Sequence, residues 1–246
     1  MPLSKDKIRT FIYNHGYKGS IFQKIWVLAT RPKAAMEYRK KASMVNSLGD
    51  GLLRKIGEIS GSCHVCIWPE FGTLLGGYRD KSFISFDPDI DLGILRDDLS
   101  DGFFRQLEQS GMKRKRSFHL VDVRTGKRRL VELTLNYNGL DFDLFISDRV
   151  GESLRRVYVS YEKIDELDNR FKVKYYTVGY SSRTEDVDIN GQILPYPGDA
   201  AQYLKSVYGN DFMTPIKGWR PPQSNPIMTF MDPADHYCEE TIVEPK

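Results

Sequence analysis

Three observations predict a mixed α/β fold for this 246-residue chain. Helix-period apolar spacing fills residues 34–60, extended apolar runs bounded by turn residues follow, and Thr125-Gly126 and Asn138-Gly139 join neighbouring runs as hairpins. Hairpins pair antiparallel strands, so the sheet is not all-parallel. With 40% hydrophobic and 12% aromatic residues, the composition is that of a globular protein and excludes long disorder.

Taken in order, residues 1–33 are basic and aromatic. The apolar run Ile21–Thr30 stops at the Arg31-Pro32 breaker, well short of the ~20 residues of a membrane span. The plainer reading is a helix packed on its own core. The alternative is a helix resting on a membrane surface, with Lys18, Lys24 and Arg31 as its cations. Over 34–60, Met36, Ala42, Val45, Leu48, Leu52, Leu53, Ile56 and Ile59 make one long helix, weakened by Gly49, Gly51 and Gly57. Gly61-Ser62 ends it. A short strand, His64–Trp68, comes next, and Gly72-Thr73 opens a helix through Leu74, Leu75 and Tyr78. Ile90–Leu95 reads as a strand and Leu99–Ser110 as a helix closed by Gly111. Arg116–Val123 and Arg128–Tyr137 form the first hairpin, and Asn138-Gly139 sets up the second, into Leu140–Ile146. From 150 to 197 the pattern weakens into short polar and aromatic pieces. A helix is predicted over Gly198–Tyr208, and an irregular Pro-rich extension follows Met213.

Lys plus Arg exceed Asp plus Glu by 36 − 33 = 3, an excess that predicts no nucleic-acid partner. The basic runs 113–116 and 127–129 read as a solvated hairpin, with a docking surface for an anionic substrate or lipid head groups as the functional alternative. Cys63, Cys66 and Cys238 lack a disulfide framework, and residues 1–10 lack a signal peptide. The expectation is a reduced, cytoplasmic protein, peripheral at the inner membrane face at most. A zinc site from Cys63, Cys66, His236 and Cys238 is weighed against core cysteines, and the core reading is preferred. His64 and His119 alternate with apolar residues and read as packed or surface groups. Tyr175, Tyr176 and Tyr180 fit an acceptor groove or a packed core equally.

The chemistry centres on Gly72-Thr73-Leu74-Leu75-Gly76, followed by Asp89-Ile90-Asp91. Strand geometry puts Asp89 and Asp91 on one face while Ile90 and Leu92 enter the core. Carboxylates so close repel, and Mg²⁺ or Mn²⁺ resolves the conflict while bridging to substrate phosphates. Asp141 and Asp143 alternate with Leu140, Phe142 and Leu144 in the same way, so three carboxylates converge if the two strands are neighbours. The Gly72-Thr73 helix start offers N–H groups and a positive end to a phosphate, Thr73 a hydroxyl, and Arg79 a bidentate fork. This set suits metal-dependent phosphoryl transfer.

The run Pro69-Glu-Phe-Gly-Thr-Leu-Leu-Gly-Gly-Tyr-Arg-Asp-Lys-Ser-Phe-Ile-Ser-Phe-Asp-Pro-Asp-Ile-Asp-Leu-Gly-Ile94 resembles the signature of the LicD family, which includes bacterial phosphocholine transferases, fukutin and fukutin-related protein. Phe142-Asp-Leu-Phe145 resembles the family's V-D-[LI]-F strand. Ile193-Leu-Pro, Tyr203-Leu and Tyr208-Gly-Asn-Asp-Phe-Met-Thr-Pro215 resemble its closing segment. Ser85-Phe86 stands in place of the usual Pro-Trp, Pro88 where a third acid is common, and Asp80 where a histidine is frequent.

The resemblance implies a nucleotidyltransferase-like fold with flanking helices. It divides the chain into an N-terminal helical segment (1–60), a catalytic domain (61–215) and a tail packing on it (216–246). It makes Asp89, Asp91 and Asp143 the metal ligands and places Gly72, Thr73 and Arg79 in the phosphate site. Asp87 stands at the edge, as support for a ligand or as a base, and Asp141 is an extra acid that competes with Asp143 for the ligand role. The implied activity moves phosphocholine, ribitol phosphate or glycerol phosphate from a CDP-activated alcohol to a hydroxyl of a glycan or lipid-linked glycan, in cell-surface polysaccharide synthesis. Two alternatives stand beside it. One is a nucleotidyltransferase moving a nucleoside monophosphate from ATP or CTP to a small molecule, RNA or protein. The other is a non-catalytic binding subunit.

Overall fold

The computed structural model describes residues 21–164, 169–215 and 228–243. Lys18, and the side chains of Lys24 and Arg31, lie outside the described residues.

The chain opens with one helix, α1 (Ile21–Cys63), which continues through Pro32 instead of ending there. Proline removes one N–H from the helix ladder. Pro32 and its described neighbours up to Lys41 are exposed. From Ala42 onward one stripe of α1 is buried: Val45, Leu52, Leu53, Ile56 and Ile59. Gly49 does not break the helix, and a Cβ there would lie 2.6 Å from the Phe83 ring. Contact with Phe83 is its reason for being glycine.

Next come β1 (Ile67–Pro69), α2 (Phe71–Asp80), β2 (Asp91–Leu95) and α3 (Asp101–Gln109). Ser100 caps α3 by accepting from the Phe103 N–H. The predicted hairpins form as β3 (Lys113–Asp122), β4 (Arg128–Tyr137) and β5 (Leu140–Val150). Asn138 and Gly139 have φ of 52° and 91°, the paired positive values of a tight type I′ turn.

Beyond residue 150 the structure is more regular than the sequence pattern suggests. Two long strands, β6 (Ser153–Lys163) and β7 (Arg170–Gly179), are followed by a hairpin, β8 (Glu185–Ile189) and β9 (Gln192–Tyr196). Its turn is Asn190-Gly191, the same dipeptide that makes the β4–β5 turn, with φ of 52° and 78°. The helix α4 (Ala200–Tyr208) agrees with expectation. The irregular tail does not: residues 228–243 add β10 (Met228–Phe230) and β11 (His236–Ile242).

The strand β11 lies between β3 and β7, antiparallel to both. The pairings β5–β4–β3–β11–β7–β6, with β6 back on β5, close a ring of six strands. Closure removes the open edges that β3 and β7 would otherwise present. A small core of Phe118, Leu120, Val131, Val157, Val159, Phe171, Val173 and Cys238 fills it. The larger core lies between the β2–β5–β4 face and the helices and includes Leu92, Ile94, Leu133, Phe142 and Leu144. Only β2 and β5 among the strands here run parallel as neighbours, so the sheet is mixed and mostly antiparallel. Among the described residues no helix is long and apolar enough to cross a membrane.

Cys238 belongs to the small core, and Cys63, Cys66 and Cys238 are all free thiols. Tyr176 is buried, while Tyr175 and Tyr180 lie under the guanidinium groups of Arg155 and Arg149.

Candidate active site

The parallel pair β2 and β5 places Asp91 directly opposite Asp143. Adjacent strands stand about 5 Å apart, so their carboxylates leave one face of the sheet side by side. Asp89 precedes the strand, and Asp87 lies two residues further back. Burial is the largest influence pushing the Asp91 carboxyl upward, and the charges of Asp89, Asp143, Asp87 and Glu132 add to it. Asp143 is also raised, by burial first, although a hydrogen bond from Thr134 and the charge of Arg116 pull against it. Asp87 is pushed up to about 8, by burial and then by a hydrogen bond shared with Asp89 and by its charge.

The helix α2 begins over this cluster. A Cβ on Gly72 would lie 2.1 Å from Asp87 Oδ2, so glycine is what lets Asp87 settle against the helix start. Glu70, the N-cap residue, makes no side-chain cap bond, which leaves the first turn's positive end for an anion. Thr73 is buried, and its hydroxyl accepts from the Asp91 N–H at 2.9 Å. Its first task is to pin the start of β2. Two turns along the helix, Arg79 forms a bidentate pair with Asp80, its Nη2 2.7 Å from Oδ2. A phosphate would have to displace Asp80 to reach it.

Asp141 points to the same side as Asp143 but is already engaged. Lys115 Nζ donates to it at 2.7 Å and Asn136 Nδ2 at 2.6 Å. Burial pulls the Asp141 carboxyl up, but these bonds and the charges of Lys115 and Lys41 outweigh it and hold the group low. A cavity of about 760 Å³ opens beside these residues. Its lining mixes the acids Glu37, Asp89, Asp141, Asp143 and Glu240 with the cations Lys40, Lys41, Lys115 and Arg116. That volume suits a ligand of nucleotide size. The basic run 113–116 thus divides, with Lys115 and Arg116 turned into the cavity.

Among the described residues, no three His, Cys, Asp or Glu side chains stand ready-made around one point. The donors nevertheless fit a hard divalent cation, since they are carboxylate oxygens whose mutual repulsion it would relieve.

Sequence reasoning missed what lies beneath the carboxylates. Glu70 and Arg156 are both fully buried and ion-paired. Glu70 also accepts from Trp68 Nε1 and, at 3.0 Å, from the Tyr203 hydroxyl. Arg156 donates to the Tyr176 hydroxyl at 2.7 Å and to Ser147 Oγ at 2.9 Å. Gly93 makes room for this network, because a Cβ there would lie 2.3 Å from Trp68 Nε1. Phe71, with φ of 41°, packs edge-on against Phe145 and Tyr176 directly over the ion pair. The helix start is thus fixed from below by buried charge. Glu70 stands two residues before Gly72, but a partner 86 residues away leaves no local signal.

Residues 64–177 match the family model described as LicD/FKTN/FKRP, nucleotidyltransferase domain. This segment is similar to LicD-family proteins. Three relatives agree, each described as ribitol-5-phosphate transferase FKTN. Those of Macaca fascicularis and Homo sapiens are 26% identical over 196 residues, and that of Mus musculus 27% over the same length. The alignment covers 75% of this chain, which spans only 36% of the length of each relative. Asp87, Asp89, Asp91 and Asp143 all lie within the LicD-matched segment, whereas α1 and β11 lie outside it.

Gly72→Ala tests how tightly the helix start and Asp87 fit. The added methyl should force Asp87 away and cost about 1–3 kcal/mol in urea unfolding, as overpacking does. The double variant Gly72→Ala/Asp87→Ala should regain most of that loss. Strictly additive losses would show that the crowding lies elsewhere.

Proposed function

We propose that the chain is a divalent-metal-dependent phosphotransferase. It moves a phospho-alcohol (phosphocholine, ribitol phosphate or glycerol phosphate) from a CDP-activated donor to a hydroxyl of a glycan or lipid-linked glycan. The observation that carries this reading is the opposition of Asp91 and Asp143 on parallel neighbouring strands, beside the start of α2, with Asp143 lining a cavity that Lys40, Lys41 and Arg116 also line. The LicD-matched segment and the ribitol-5-phosphate transferase relatives support the class of reaction. A nucleotidyltransferase-like fold, cytoplasmic placement with peripheral contact at the inner membrane face, and a role in cell-surface polysaccharide synthesis belong to the same proposal.

In this reading Asp89, Asp91 and Asp143 would hold Mg²⁺ or Mn²⁺, which would supply positive charge to the donor's phosphates. The uncapped start of α2 and Lys40 and Lys41 would receive phosphate oxygens. Asp87, packed against Gly72 at the edge of the site, would support the ligand Asp89 or act as a base. Thr73 keeps Asp91 in place through its backbone N–H.

Titrating CDP-choline, CDP-ribitol, CDP-glycerol and ATP, each with and without Mg²⁺, onto wild type and Asp89→Asn tests the proposal. One CDP-alcohol should bind only with metal and only to wild type. Tight ATP binding with no CDP-alcohol response would replace the reading with nucleotidyl transfer.

A further inference from the structure

Asp143 is held by a hydrogen-bonded chain that crosses four adjacent strands. Thr134, its partner on β4, donates its hydroxyl proton to Asp143 Oδ1 at 2.5 Å. The same hydroxyl accepts from Arg116 Nε and Nη2 on β3, each at 3.1 Å. Arg116 Nη1 stands 3.6 Å from Glu240 Oε1 on β11, and its guanidinium lies over the Phe118 ring at 5.0 Å. All four groups leave one face of the sheet, as the registers Asp143↔Thr134 and Thr134↔Arg116 require.

The direction of this chain is fixed by chemistry. Arginine only donates and an ionised carboxylate only accepts, so a hydroxyl between them has one orientation. Two guanidinium N–H groups occupy the threonine lone pairs, and its single proton must go to Asp143. That commits Oδ1 and leaves Oδ2 as the oxygen available to a ligand. The arrangement also keeps Arg116 one group away from Asp143. A direct Arg–Asp pair would place a fixed cation where a metal must come, whereas the intervening hydroxyl steadies the carboxylate without occupying it.

We propose that Thr134 and Arg116 are positioning residues that hold the Asp143 carboxylate for metal ligation, with Glu240 anchoring Arg116 from the C-terminal strand. This rests on the metal reading of the preceding section. It gives β11, which lies outside the LicD-matched segment, a part in the site as well as in closing the strand ring. Outer partners that orient metal ligands typically contribute 10–100-fold in affinity.

The test is Mn²⁺ binding by calorimetry and by electron paramagnetic resonance, on wild type, Thr134→Val, Thr134→Ser, Arg116→Met, Glu240→Gln and Asp143→Asn, with a thermal melt of each. Thr134→Val keeps the shape and removes only the hydroxyl. It should bind Mn²⁺ about 10–100-fold more weakly, while Thr134→Ser stays close to wild type. Arg116→Met should weaken binding in the same direction, and Glu240→Gln less so. Wild-type affinity in Thr134→Val overturns the proposal, and so does an equal loss in Thr134→Ser, which would mark a packing defect. If Thr134→Val does not fold, Arg116→Met decides, because that side chain is 30% exposed. A wild-type Kd there overturns the relay. A wild type that binds no Mn²⁺ overturns the metal reading itself, whereas binding that survives in Thr134→Val but fails in Asp143→Asn overturns the relay alone.

Discussion

Asp91→Asn is expected to cut metal-dependent transfer on the order of 10³-fold while leaving the metal-free fold as stable as before or more so. Loss of a ligand removes several kcal/mol of charge stabilisation where the transferred phosphate passes. The fold should not suffer, because the Asp91 side chain is surrounded by Asp89, Asp143, Asp87 and Glu132. Removing one of five neighbouring acids relieves repulsion. The contacts that fix Asp91 in the strand are made by its backbone, N–H to Thr73 and C=O from Glu70, and asparagine retains both. Parallel measurements of transfer with Mg²⁺ and of chemical unfolding without it check both halves. A destabilised protein with proportionate loss of transfer would make Asp91 a structural acid and remove the centre of the proposed site.

Arg156→Met should lower the unfolding free energy by about 3–5 kcal/mol, the usual effect of leaving one member of a buried ion pair alone. Arg156 and Glu70 are fully buried, and the pair ties β6 to the start of α2. Without the guanidinium, burial drives the Glu70 carboxyl toward its protonated form, and the Tyr176 and Ser147 hydroxyls lose their donor. The double variant Glu70→Leu/Arg156→Met should regain much of the loss, since a buried ion pair is seldom more stabilising than apolar groups of similar size. Guanidinium unfolding of wild type, both single variants and the double gives the coupling energy. A coupling near zero would mean that the pair does not act as a unit. If the double variant recovers stability but not donor binding, the ion pair serves to place the α2 start.

The residues that do the proposed chemistry were legible because they sit in short local patterns. Alternation put Asp141 and Asp143 opposite Phe142 and Leu144, and the same two-residue period separated Asp91 from Leu92. Asn138-Gly139 gave the β4–β5 turn from local conformational preference alone, and Asn190-Gly191 carried the same signal for β8–β9. The Gly72-Thr73 helix start was likewise local, and α2 begins one residue earlier, at Phe71. The sequence by itself determined these elements, since each depends on neighbours within a few residues.

Tertiary structure decided the rest. Whether β2 lies beside β5 is a matter of strand order, and only that order brings Asp91 to Asp143. It also turned Thr73 inward to Asp91 and gave Asp141 to Lys115. The strand β11 escaped notice because a Pro-rich approach and the mixed run His236–Ile242 carry little periodicity, and pairing with β3 and β7 supplies its order. The Glu70–Arg156 pair was invisible for a related reason. A charge is hidden from water only when distant elements close over it, and no local pattern records that event.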